Sequence, residues 1–593
     1  MTRRARFAPH ALAALGLCLF AFAMSALLSR TVFERLPHLE DEYAYLFQAR
    51  TLARGDLVVE SPPVRRAYWL PFLLYHDGVR FGKYTPGWPL LLAGGVIAGQ
   101  EWMVNALLAA LTVALVYRLG SDLFGRDTGL IGAALTALSP MALLLNATLM
   151  GHTAALCCGA LALLAYLRLE RRLMRPQGEG RFTLALIVGL ALGLLAAARP
   201  LTAAAFALPL MARAGAWLLG RWSAPVGGLR IWLAPHLIIA AAALAVFAIV
   251  PIYNTAAVGD PTANLYTRYW EYDCVGFTGC GRSGHTLERA FRHTRFDLSL
   301  TAADLFGWQS PLSLTDEAAA HLLNDGDTYP VPGYSWVLLP FGVLIGLRRR
   351  WWLGALWLIG LAGAVLFAMH YDGGRLLTRS DFAWAWVIGA LVWTLLPVLA
   401  LRDRRAAWTW ILLATAALVI GLQLTYWIGS QRYSTRYYFE GLAAAALLSA
   451  VPLGSLIRRM TALRPAVARR AFYGGLAVLL GVILLVYALP RVALLRGYNR
   501  ITRDLIDQVN ARREGDRPVL VLVTGEDVRW RAYGALMAST SPYLDSPIVA
   551  AWDYSNGNDP AVRQAILDRF PDRQVIEMGA SVNDSWFLDD PPG

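Results

Sequence analysis

Long apolar runs separated by short polar connections dominate the chain from residue 11 to residue 489. Thirteen of them approach the roughly 20 residues an α-helix needs to cross a bilayer. They lie near 11–29, 102–119, 129–147, 153–168, 182–198, 201–217, 231–252, 334–347, 352–369, 382–400, 408–428, 437–453 and 471–489. A further stretch, 86–100, is short and rich in Pro and Gly, which suits an interfacial or re-entrant segment. The pattern predicts an α-helical polytopic membrane protein with about 13 transmembrane helices. Past residue 489 the period changes. Helix-like runs at 503–513, 527–538 and 561–570 alternate with strand-like runs at 519–523, 548–552 and 574–578. That alternation predicts a small soluble α/β domain over 490–593, following a membrane domain over 1–489.

Charge adds an orientation. Clusters of arginine fall on connections of one parity: Arg3, Arg4 and Arg6; Arg168 to Arg181; Arg213 to Arg230; Arg348 to Arg350; Arg402, Arg404 and Arg405; Arg458 to Arg470. The positive-inside rule makes that side cytoplasmic. With thirteen spans the N-terminus is then inside and the C-terminal domain outside, beside two long outer loops at 30–101 and 253–333. The first span follows Met-Thr-Arg-Arg-Ala-Arg but lacks a small-residue cleavage site, so it reads as a helix and not as a signal peptide. Hydrophobic residues make up 57% and charged residues 16%, far from a soluble domain. The net charge of +13 is mostly this arginine belt, facing anionic headgroups. It does not point to nucleic acid, and no zinc-type spacing, Walker loop or dinucleotide glycine motif stands out.

The candidate chemistry lies on the outer side. Lys83 is the only lysine in the chain and stands in Phe81-Gly82-Lys83-Tyr84-Thr85-Pro86-Gly87-Trp88-Pro89. A compact ammonium suits a phosphate, whereas Arg prefers planar bidentate contacts. Upstream, Glu40-Asp41-Glu42 opens a helix-like run in which Asp41, Tyr45 and Gln48 share one face. A carboxylate at the membrane boundary is expected to be partly desolvated and raised in pKa, which suits a general base. Taken alone, the acids equally fit a helix N-terminus stabilised against its dipole. His152, Arg199 and the run Gln431-Arg432-Tyr433-Ser434-Thr435-Arg436-Tyr437-Tyr438-Phe439-Glu440 belong to the same face, where ionisable groups near spans suggest function. Cys274 and Cys280, six residues apart in an outer loop, suit a short disulfide. Cys18, Cys157 and Cys158 lie in spans as packing residues.

Asp41 to Arg50 followed by Gly82 to Pro89 resembles the first outer loop of the GT-C glycosyltransferases, the polytopic enzymes related to protein O-mannosyltransferases and bacterial aminoarabinose transferases. Arg432 to Glu440 resembles the Arg-Tyr-Tyr segment before a late span in many bacterial members. The resemblance covers roughly residues 1–455. It implies an inverting transfer of sugar from a polyprenyl-phosphate donor to a lipid, glycan or protein hydroxyl, on the outer face of a bacterial cytoplasmic (inner) membrane. Asp41 matches the family's catalytic acid and Lys83 a basic position meeting the lipid phosphate. The substrate-binding set is then Glu42, Tyr45, Lys83, Tyr84, His152, Arg199, Arg432, Arg436 and Tyr437. His152 stands where many members carry a second Asp, which weakens a carboxylate-bound metal; a divalent cation is left open. A multispan lipid or sugar transporter, and a non-catalytic envelope assembly component, are the alternative readings.

Overall fold

The computed structural model describes residues 9–175, 179–218, 220, 229–309, 333–429, 433–463, 465–525, 530–555 and 557–579. The protein is a multi-pass α-helical membrane protein. Among the described residues, ten helices are long and apolar enough to cross a membrane. Thirteen were expected from the apolar runs, and two of those runs are interrupted or short for local reasons. Ser139 caps a new helix with Pro140 in its first turn. The run 129–147 accordingly divides into Arg126–Ala137 and Pro140–Leu145. The run 334–347 yields a ten-residue helix, Leu338–Leu347. The run 201–217 forms the continuous 19-residue helix Pro200–Leu218, with Pro209 inside it. The Pro- and Gly-rich stretch forms the 11-residue helix α3, Gly87–Ile97.

Between the first long helix, α1 (Pro9–Thr31), and α3 lies the first loop. It contains α2, Glu40–Leu52, and a small antiparallel sheet of β1 (Val59–Glu60), β2 (Leu73–His76) and β3 (Val79–Gly82) in the order β1-β3-β2. Asp77 and Gly78, at φ 45° and 79°, make the two-residue turn between β2 and β3. Left-handed conformations there match the twist of the paired strands. The register sets Leu73 opposite Gly82, so β3 delivers Lys83 to the end of the hairpin, where its amide donates to Phe72 O at 3.0 Å.

The tail forms a parallel sheet of β4 (Val519–Thr524), β5 (Ile548–Trp552) and β6 (Gln574–Gly579), in the order β5-β4-β6. The central strand is a continuous apolar run, Val519 to Val523, as a parallel strand covered on both faces should be. The first loop supplies part of each cover. Val519, Val521 and Val523 pack in one cluster with Leu36, Tyr43 and Trp69. Leu520 and Leu522 pack in another with Ala67 and Tyr68. His38 reinforces the junction: its Nε2 lies 3.0 Å from Ile501 O, and Asn499 Nδ2 donates to His38 O at 2.6 Å. The tail's core is thus shared with the loop that carries the acidic residues.

Helix His152–Leu173 fixes the geometry of the two ends. At 1.5 Å per residue its termini lie about 30 Å apart. His152 is at one end; Arg168 and Arg171, both paired with Asp122, are at the other. At the loop end α3 packs on helix Arg181–Ala198, and the approach needs glycine. A Cβ on Gly87 would lie 2.5 Å from the Ala197 carbonyl carbon and 2.6 Å from Ala198 N. Both obstacles are backbone, so the helices must part to admit a methyl. Gly87→Ala is expected to destabilise the protein by about 1–3 kcal/mol. Thermal melts of the detergent-solubilised variant check this; an unchanged midpoint would show that the two helices separate freely.

Candidate functional site

The start of α2 assigns different work to its neighbouring acids. Leu39 caps the helix in an extended conformation, φ −121° and ψ 152°, and three acids sit in the first turn. Negative charge is favoured there by the helix dipole. Glu42 folds back: its Oε2 accepts from the amides of His38 at 2.8 Å and Leu39 at 3.1 Å and from the Tyr433 hydroxyl at 3.1 Å. Its Oε1 accepts from the Leu149 amide at 2.7 Å. Burial pushes the Glu42 carboxyl up to about 7, against the pull of these donors. Glu42 does not line the cleft described below; it joins the loop to two distant segments.

Asp41 points the other way. Its Oδ1 accepts from the Tyr84 hydroxyl at 2.8 Å, and its Oδ2 lies 3.3 Å from Arg436 Nη1. The side chain remains 16% exposed, enough to be reached from the cleft. The raised pKa expected from desolvation is not found: burial pushes it up, but Arg436, the Tyr84 hydroxyl and Lys83 together hold the carboxyl below its ordinary value of 3.8. Burial and the Asp41 charge push Tyr84 well above the usual phenol range, so its hydroxyl keeps the proton it donates. On the same face of α2, Tyr45 lines the cleft, and Gln48 Nε2 holds Tyr84 O at 2.7 Å.

Lys83 is buried. Its ammonium donates to Asp273 Oδ2 at 2.9 Å and lies among the rings of Phe72, Trp270, Tyr266, Tyr84 and Tyr269, at 3.9, 4.9, 5.2, 5.3 and 5.4 Å from their centres. The other oxygen of Asp273 accepts from Tyr426 Oη at 2.7 Å and Trp427 Nε1 at 3.0 Å. Cys274 and Cys280 are joined as a disulfide, Cα atoms 5.2 Å apart, closing the turn that starts at Asp273. Arg199, capping helix Arg181–Ala198, pairs with Glu440 Oε1 at 2.9 Å. His152 Nδ1 reaches the same oxygen at 3.1 Å. Tyr437 stands between these groups: Arg436 Nη2 donates to its hydroxyl at 3.3 Å, and the Arg199 guanidinium lies 5.7 Å from its ring centre.

These residues divide a cleft in two. A chamber of about 300 Å³ is lined by Arg199, Tyr45 and apolar side chains such as Leu201, Val250 and Leu265. A second, of about 90 Å³, is lined by Arg436, Arg282, Phe72, Trp270 and Trp427. Asp41, Lys83, Tyr84, Asp273, Tyr426 and Tyr437 border both and form the partition. Of the residues expected at the site, Asp41, Tyr45, Lys83, Tyr84, Arg199, Arg436 and Tyr437 converge on the cleft. His152 sits behind it on Glu440, and Arg432 lies outside the described residues. Asp273 and Tyr426 were not anticipated, and Glu440 was marked only as the end of the Arg-Tyr-Tyr run, without its partners Arg199 and His152. Asp273 adjoins Cys274 and Glu440 ends the Arg-Tyr-Tyr run, so an acid seeking each buried cation was the available signal. Among the described residues, no group of three or more His, Cys, Asp or Glu is gathered as metal ligands.

No family model matches the sequence, and no curated protein matches it. Solved structures are similar in fold. One is the oligosaccharyltransferase of Archaeoglobus fulgidus tethered to an acceptor peptide, at 13% identity over 94% of this chain and 68% of that one, TM-score 0.45. Another is ArnT from Cupriavidus metallidurans in the apo state, at 13% identity over 94% and 88% of the two chains, TM-score 0.44. ArnT bound to undecaprenyl phosphate gives 14% identity, 96% and 90% coverage and a TM-score of 0.41. At this level no residue role passes from those proteins to this chain.

The depressed pKa of Asp41 has a pH signature. Its ion pair adds stability above the unfolded value near 3.8, and that contribution is lost as pH falls through the folded value. Comparing thermal melts of wild type and Asp41→Asn, the gap is expected to be about 1–3 kcal/mol, flat from pH 5 to 8 and closing below about pH 4. A gap that changes between pH 5 and 8 would show that Asp41 titrates there.

Proposed function

We propose that the protein is an integral-membrane inverting glycosyltransferase. It moves a sugar from a polyprenyl-phosphate donor to a hydroxyl acceptor at the loop face of the membrane. The observation that carries this reading is the partition: a partly exposed, ionised Asp41 carboxylate borders both an apolar chamber rimmed by cations and an aromatic chamber beside it. The larger chamber suits the polyprenyl phosphate, its apolar wall meeting the lipid and Arg199 and Lys83 its charge. The smaller one suits the acceptor. The likeness of residues 41–50 and 82–89 to the first outer loop of GT-C enzymes supports the same assignment.

The acceptor oxygen attacks the anomeric carbon from the side opposite the phosphate. The bond between that carbon and the phosphate oxygen breaks, and its electron pair leaves with the polyprenyl phosphate. Asp41 takes the acceptor's proton, and configuration inverts. Lys83 and Arg199 stabilise charge growing on the leaving group, while Arg436, in the smaller chamber, holds Asp41 ionised. The acceptor is a hydroxyl of a lipid, glycan or protein. Residues 1–489 are the transferase unit and residues 490–593 a soluble unit, whose described strands pack on the first loop. The arginine belt at the far end of helix His152–Leu173 supports a cytoplasmic assignment for that end and a periplasmic one for the site. The setting is a bacterial inner membrane.

Asp41→Asn keeps the shape of the side chain and removes its basicity. In vesicles supplied with radiolabelled polyprenyl-phosphate sugars and a panel of hydroxyl acceptors, transfer is expected to fall about 10²-fold or more. Binding of the polyprenyl phosphate should persist. Wild-type transfer by a folded Asp41→Asn protein would remove Asp41 from the mechanism.

A further inference from the structure

Three largely buried cations at the cleft, Lys83, Arg436 and Arg199, each already have a carboxylate. Lys83 is on Asp273 at 2.9 Å, Arg436 on Asp41 at 3.3 Å and Arg199 on Glu440 at 2.9 Å. A phosphate approaching any of these three pairs gains attraction from its cation only where the carboxylate loosens its hold, because like charges this close repel. The three acids are not equally able to do so. Glu440 is fully buried, borders neither chamber and also serves His152. Asp41 is the proposed base and must stay where the acceptor is. Asp273 borders both chambers, stands on a connecting loop and not on a helix, and gives Lys83 a single oxygen. Its second oxygen is tethered separately by Tyr426 and Trp427. The carboxylate can therefore turn about that tether while remaining hydrogen-bonded.

We infer that Asp273 is an internal counter-ion which occupies Lys83 in the empty site and yields it to the donor's phosphate, so that it sets how tightly donor and released polyprenyl phosphate are held. The inference rests on the reading that Lys83 meets that phosphate. Asp273 is a positioning residue, acting through Lys83 and touching no reacting atom. Its charge keeps a buried ammonium compensated between turnovers, when an uncompensated one would be costly. The same charge competes with the product phosphate and so speeds its release.

The test is the affinity of purified protein in nanodiscs for undecaprenyl phosphate, alongside steady-state transfer. Asp273→Asn keeps the shape and removes the competing charge. It should bind undecaprenyl phosphate about tenfold more tightly, with KM for the donor and kcat both falling as release slows. The double variant Lys83→Ala/Asp273→Asn should lose the gain. A purely structural Asp273 predicts the opposite, and equal or weaker binding by Asp273→Asn overturns the inference. If Asp273→Asn is unstable alone, undecaprenyl phosphate should raise its melting temperature more than it raises that of the wild type, because phosphate then supplies the missing negative charge. A smaller or equal rise also overturns it. Absence of any wild-type binding sinks the donor reading itself, and this inference with it; wild-type binding without the Asn gain sinks the inference alone.

Discussion

Six ionisable side chains are largely withdrawn from water at one end of the helical bundle, and each would cost several kcal/mol there as an unpaired charge. The partners come from far along the chain. Lys83 and Asp273 are 190 residues apart, Asp41 and Arg436 395. Satisfying these charges therefore requires the first loop, the middle loop and the segment before Leu442–Leu463 to close together. The cleft is what that closure leaves between them. Hydrophobic burial stacks the helices, but it has no means of choosing which polar groups meet. The ion pairs do the choosing, because a mismatched arrangement would strand a buried charge.

A second layer holds the first in place. Glu42 uses its acceptors on the backbone at His38, Leu39 and Leu149 and on Tyr433, so the turn opening α2 is fastened to two other segments. The neighbouring residue, one position away and about 100° round the helix, is thereby aimed into the cleft. The tail adds to this from the other side. By burying Leu36, Tyr43 and Trp69 in its sheet's core, it removes freedom from the loop that carries Asp41. A base has to be held in place before it can be effective, and here the stiffness comes from packing and hydrogen bonds outside the cleft.

Much of this was legible in the sequence, and the rest was hidden for identifiable reasons. Helices, tail strands and the acidic turn follow from periodicity and capping, which are local. Asp41, Tyr45 and Gln48 share a face because helical spacing says so. Ten of the thirteen apolar runs are long apolar helices among the described residues; hydropathy does not register that Ser139-Pro140 starts a new helix inside another of them. Glu42 and Asp41 look alike in sequence; only the fold shows that one binds backbone and the other faces a cleft. Asp273 went unremarked, and Glu440 was marked without its partner, because the meaning of each depends on a cation about 190 to 240 residues away.

The single lysine shows how rarity and function can be separated. An accidental survivor in an arginine-rich chain should tolerate arginine at its position. The surroundings argue otherwise on grounds that need no phosphate. Five aromatic rings lie within 5.4 Å of the ammonium, the nearest at 3.9 Å, and one carboxylate oxygen completes its shell. Cation–π attraction replaces part of the lost hydration. A guanidinium is planar, wider and forked, and it seeks bidentate acceptors that Asp273 does not offer while its other oxygen is held by Tyr426 and Trp427. The pocket is shaped for a compact charge. That shape explains why the residue is lysine, and the position of the pocket in the partition explains why its charge matters to whatever binds there.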